Sequence, residues 1–280
     1  MSREIRRCAG SLAIFAALMS SAPCASGEIG ATAFYRTVLA RMRELEEPAF
    51  LTYRTVVSGG NGSLVLSADQ NGNAELALLA GPAPPQSWKV RYRTSQGRAS
   101  IALADGMRVS SSLAIFDPTW QGAYTWLHRG LDASIAAAAA QTPAPEPSAP
   151  ALPVLAVVTA INETVYDVTD GGAATCPNGD AARRLFLRAK SDALSHPLTQ
   201  ALVDEGSLRF CAMHFHQHLV SPAVTFDLDV DLRFASVGAY YLAQGGTIDG
   251  AVRPYRRPGW FRISTAFAYD EFTVSPTAPP

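Results

Sequence analysis

His214, His216 and His218 occupy alternate positions of one short run, and Asp227, Asp229 and Asp231 do the same shortly after it. Neutral imidazole is a common metal ligand, and alternate residues of a strand share a face at a spacing of about 7 Å. Two of the rings can therefore reach one ion, with an aspartate from a facing strand supplying oxygen. His214, His216 and Asp227 are the candidate ligands. The competing expectation is a solvated face on which His and Asp pair with one another, each pair worth about 0.2–1 kcal/mol. Such pairs make stability sensitive to pH near neutrality. The regular alternation of the three aspartates argues against a calcium loop, which needs a sharp turn. His196 and His128 have no nucleophile beside them. No Gly-x-Ser-x-Gly elbow, His-Glu-x-x-His, phosphate loop or dinucleotide fingerprint occurs, so no catalytic residue and no cofactor is expected.

These residues need a hairpin to present them. From Thr225 to Phe234 apolar and polar residues alternate, with Phe226, Leu228, Val230, Leu232 and Phe234 on one side. In the preceding run Cys211, Met213 and Phe215 face one way and the histidines the other. That period of two specifies strands with one buried face. Val220-Ser221-Pro222-Ala223 reads as a tight turn, because proline ends strands. With two residues in the loop, His216 lies opposite Asp227 and His214 opposite Asp229, and the apolar faces coincide.

The chain has 280 residues, 48% of them hydrophobic and 17% charged, with a net charge of -1. That balance gives no electrostatic reason to expect nucleic acid. Arg3, Arg6 and Arg7 precede an apolar run from Cys8 to Met19 and then small residues, so residues 1–27 read as a cleaved secretion signal. Cleavage after Ala25-Ser26-Gly27 is favoured. Lipid attachment at Cys24 is the lesser alternative, since Pro23 spoils the lipobox. The mature chain is expected to be periplasmic or secreted, with no transmembrane segment. It retains Cys176 and Cys211, which in an oxidising compartment usually pair; two buried thiols are the alternative.

Ala31–Glu47 has a helical stripe of Phe34, Val38, Met42 and Leu45, and Pro48 stops it. Close-spaced strand signals follow through residue 113. The turns among them include Asn71-Gly72, a strong hairpin signal. Asp117 and Pro118 then read as the N-cap and first position of a second helix, with Trp120, Tyr124, Leu127, Leu131 and Ile135 on one face. Residues 141–153 form a Pro/Ala-rich linker, read as an excursion between two halves of one sheet; two separate domains are the alternative. Further strands run from 154 to 273, with 170–180 a loop holding Cys176. The expected organisation is one domain over 28–275 and a disordered tail at 276–280. Its class is α+β, mostly antiparallel.

The segment His196-Pro197-Leu198-Thr199-Gln200-Ala201-Leu202-Val203-Asp204 and the closing Phe267-Ala268-Tyr269-Asp270-Glu271-Phe272 resemble parts of the periplasmic lipoprotein-sorting carriers of the Lol type. So does the overall layout. The resemblance implies a strongly curved sheet, an open half-barrel, covered by two amphipathic helices. It also implies a non-catalytic carrier of a hydrophobic ligand, either a lipid or an acylated lipoprotein. The expected lining is Trp88, Val90, Tyr92, Phe226, Leu228 and Val230, with Trp120 and Leu127 from the lid. The proline-rich linker and the cysteine pair depart from that family. Two other functions stay open: a cell-envelope metal-binding protein using the face of His214, His216, His218, Asp227 and Asp229, and a scaffold with a filled core acting through its surface.

Overall fold

The computed structural model describes residues 30–60, 63–68, 72–79, 82, 84–95, 98–109, 117–120, 165–191, 196–220, 224–254 and 259–277. The expected signal segment, the expected linker, Leu127 with the rest of the expected second helix, and the last three residues lie outside them.

Helix α1 spans Ala31–Arg43. It buries Phe34, Tyr35, Val38, Leu39 and Met42, a wider stripe than the four expected residues because Tyr35 and Leu39 flank it on the same side. It ends before Glu47. Arg41 and Arg43 favour the negative end of its dipole, and Glu44 and Leu45 close it with bonds from their N–H groups to Arg41 and Met42.

The strands are β1 (Phe50–Gly59), β2 (Ser63–Ala68), β3 (Ala74–Leu79), β4 (Gln86–Ser95), β5 (Arg98–Leu103), β6 (Tyr166–Thr175), β7 (Ala181–Ala189), β8 (Leu198–Asp204), β9 (Arg209–Val220), β10 (Val224–Val237), β11 (Tyr240–Pro254) and β12 (Phe261–Ser275). β2 and β3 form a separate hairpin. The other ten make one open antiparallel sheet in the order β5-β4-β1-β12-β11-β10-β9-β8-β7-β6. The protein is thus α+β, with strands from both sides of the linker in a single sheet. β6 reaches Thr175, so the expected loop around Cys176 shrinks to the turn before Ala181.

One face of this sheet is apolar across its whole width. The main core draws on all ten strands, from Leu103 on β5 through Tyr53, Phe267, Ile248, Val230 and Met213 to Tyr166 on β6. α1 packs on β6 and β9, with Tyr35 against Phe210 at 6.0 Å between ring centroids. The face is concave. Thr119 pairs with Leu242 on β11 and bonds Tyr92 on β4, while the next residue, Trp120, lies 5.9 Å from Phe210 on β9. β4 and β9 are five strand spacings apart, about 24 Å on a flat sheet, and side chains stand roughly perpendicular to a sheet. Two adjacent residues join them because the sheet curls.

Glycines permit the curl. Gly246 and Gly250 of β11 sit opposite Leu232 and Leu228, and a Cβ on either would run into the backbone of β10. Gly245 and Gly250 also have positive φ, of 132° and 153°, which side chains rarely tolerate.

Candidate functional site

The outer face carries the His/Asp ladder, in a different register from the one expected. Pairing runs His218–Asp227, His216–Asp229 and His214–Asp231, and the hairpin's innermost pair is Val220–Thr225. The loop is therefore two residues longer than the tight-turn expectation. A shift of two leaves every side chain on its face, so burial alone does not select between the registers.

His214 Nδ1–H donates to Asp231 at 2.8 Å and His216 Nδ1–H to Asp229 at 3.0 Å. The third rung is looser, with His218 Nδ1 3.7 Å from Asp227, and the rungs are linked diagonally by His214 Nε2 3.4 Å from Asp229 and His216 Nε2 3.5 Å from Asp227. Asp231 raises the His214 pKa through that hydrogen bond, and His214 in turn lowers that of Asp231. Asp227 serves His216 and His218, while Asp229, the other aspartate able to supply oxygen, lies 3.0 Å from His216 and 3.4 Å from His214. Among the described residues no group of three or more His, Cys, Asp or Glu side chains is disposed to hold a metal ion.

Cys176 and Cys211 form a disulfide, with Cα atoms 5.8 Å apart. Cys211 does not share the face of Met213 and Phe215, as strict alternation predicts. Val203 pairs with Phe210 and Leu202 with Ala212, so Cys211 is the extra residue of a β-bulge. The bulge lets Phe210 and Met213 both enter the main core while Cys211 packs with Cys176 and Ala182 in a cluster of its own.

On the concave face Val90, Tyr92, Trp120 and Val230 are fully buried in the main core, and Trp88 and Leu228 pack against it from partly buried positions. Phe226 belongs elsewhere. It forms a second apolar cluster with Val252 and Ile263, flanked by Phe261 and Leu228, at the far end of β10, β11 and β12. Leu228 touches both clusters. The expected lining residues thus fall into two groups, and Val252, Phe261 and Ile263 join the second through cross-strand pairing.

A polar knot interrupts the apolar face at its other end. Residues 117–119 are not a helix start; helical geometry begins at Trp120, and Thr119 bridges Leu242 antiparallel, so the preceding residues run as a strap beside β11. The Ala243 N–H donates to the Pro118 carbonyl at 2.7 Å. Asp117 is buried, accepting from the Thr119 N–H at 3.0 Å and its hydroxyl at 2.6 Å. Tyr92 donates to Glu47 at 3.3 Å and accepts from Thr94 at 3.0 Å. Burial pushes the Asp117 carboxyl up to about 6, against the opposing pull of its bonds to Thr119. Burial, and then the charge of Asp117, pushes Glu47 up to about 7. Tyr53, Tyr92 and Tyr269 hold their protons more tightly than usual, first through burial and also through the nearby Asp117. Neither carboxyl was a site candidate in the sequence, where Asp117 reads as a helix cap and Glu47 as the end of a helix.

The sequence matches no protein-family model and no curated protein. Among solved structures, the chain is similar to a DUF1329 family protein from Desulfovibrio piger, at 10% identity and a TM-score of 0.37, over 88% of this chain and 94% of that one. It is also similar to a LolA superfamily protein from Nitrosomonas europaea, at 9% identity and a TM-score of 0.36, over 90% of this chain and 96% of that one.

Proposed function

We propose that this protein is a secreted or periplasmic carrier that holds a hydrophobic ligand, a lipid or the acyl chain of an acylated protein, on its concave face without catalysing a reaction. The observation that carries this reading is the apolar concave face itself, to which all ten strands contribute. Nine strand spacings make that face about 43 Å wide measured along its curve. α1 packs on β6 and β9, and the cluster of Phe226, Val252 and Ile263 stands apart from the main core. The disulfide fits an oxidising compartment, and no helix among the described residues is long and apolar enough to cross a membrane.

Val90, Tyr92, Trp120 and Val230 form the floor in this reading. Phe226 and Leu228, with Val252, Phe261 and Ile263, take the chain, and Trp88 lines the opposite side. Each buried methylene contributes about 0.8 kcal/mol, so about eight carbons offer about 6 kcal/mol, a Kd of tens of micromolar. Titration of delipidated protein with a fluorescent fatty acid tests this. Saturable binding is expected, weakened about tenfold or more in Phe226→Ala and Ile263→Ala, and native mass spectrometry of protein from cells should show bound lipid. Absence of both saturable binding and co-purified lipid overturns the proposal.

A further inference from the structure

The β11–β12 hairpin ends in Arg253-Pro-Tyr-Arg-Arg-Pro-Gly-Trp260-Phe261-Arg262, a run with four arginines and no acidic residue in a chain of net charge -1. Its described residues divide between the two faces. Trp260 is 51% exposed, and the Arg253 guanidinium lies 5.4 Å over its ring. Arg262 pairs with Ala251 on the same outer face and is also exposed. Phe261 and Val252 point the other way, into the apolar cluster with Phe226. The nearest carboxylates on that outer face are Asp227, opposite Ala251, and Asp249, opposite Ser264; Asp227 is engaged with His216 and His218, and Asp249 accepts from Ser264. An exposed indole stacked with a guanidinium, with a second exposed arginine beside it, has the chemistry of a membrane interface. Tryptophan settles at headgroup depth and arginine pairs with lipid phosphate.

We propose that this hairpin end is a docking surface for an anionic phospholipid bilayer, through Trp260, Arg253 and Arg262. The bilayer is favoured over a protein partner because guanidinium and indole sit together, exposed on one face, at the end of β11 and the start of β12. The apolar cluster beginning one residue away would place the proposed ligand face beside the membrane. The docking itself does not depend on that reading.

The test is co-sedimentation of the full mature chain with phosphatidylcholine vesicles, with and without phosphatidylglycerol. Binding to the anionic vesicles alone, weakening as salt is raised, is expected. Arg253→Gln and Arg262→Gln should each weaken it about fivefold, and the pair about thirtyfold. Trp260→Ala should abolish the vesicle-induced blue shift of tryptophan emission. All three side chains are exposed, so far-ultraviolet circular dichroism should confirm unchanged folding. Equal binding to neutral vesicles, no binding, or unaltered binding by the double arginine variant overturns the proposal. So does a double variant that loses only a protein partner. Fatty-acid titration without vesicles reports separately on the concave face.

Discussion

Glu47→Gln offers a direct measure of the polar knot beneath the strap. Glu47 has its pKa raised from 4.5 to about 7, chiefly by burial and then by the charge of Asp117. The folded state therefore holds this proton more tightly than the unfolded chain. Its contribution to stability is complete below pH about 4.5 and is lost as pH rises to about 7. The displacement of about 2.5 pKa units corresponds to about 3 kcal/mol. Because the side chain keeps some contact with solvent, about 2 kcal/mol is the expected size. Glutamine keeps an acceptor for the Tyr92 hydroxyl and carries no charge at any pH. Urea denaturation followed by circular dichroism, at intervals from pH 4.5 to 8, gives the difference between variant and wild type, in which titrating groups not coupled to Glu47 cancel. The two should be nearly equal at pH 4.5, with the variant gaining until it is about 2 kcal/mol more stable at pH 8. Asp117→Asn removes the facing charge, so in that background the Glu47 step should move to lower pH. A difference that stays flat across the window would show Glu47 to be an ordinary solvated carboxylate, not one held protonated by burial.

Reduction of the disulfide, or Cys211→Ser, should cost roughly 3–4 kcal/mol for a loop with a sequence separation of 35, read from urea midpoints with and without dithiothreitol. Gly250→Ala should destabilise by about 2–3 kcal/mol or prevent folding, since alanine meets both a φ of 153° and the β10 backbone; thermal unfolding checks it. Asp231→Asn should lower stability by under about 1 kcal/mol while His214 is protonated. The loss should fade as pH rises through the raised His214 pKa, and also as pH falls through the lowered Asp231 pKa, in the same urea series.

The central hairpin was legible because period-two alternation from Thr225 to Phe234 admits only a strand with one dry face, and burial then fixes which side chains share it. Its register was not legible. Shifts of two residues preserve the faces, so the turn decides which Asp meets which His. Cys211 shows the opposite failure: one extra residue reverses the alternation, and its neighbours carry no local sign of the bulge. The apolar residues of the concave face could be listed from the sequence, but their division into a main core and a Phe226 cluster follows from cross-strand neighbours and curvature. Asp117 was the least legible of all. An Asp-Pro pair before a helically spaced apolar stripe reads as a helix cap, and only the packing of the strap near Tyr53, Tyr92 and Tyr269, from three different strands, makes it a buried acid. Local pattern determined which residues are strand and which face is apolar, because both depend on backbone geometry over a few residues. Partners, bulges and proton affinities depend on groups distant in the chain, and the tertiary structure alone brought those together.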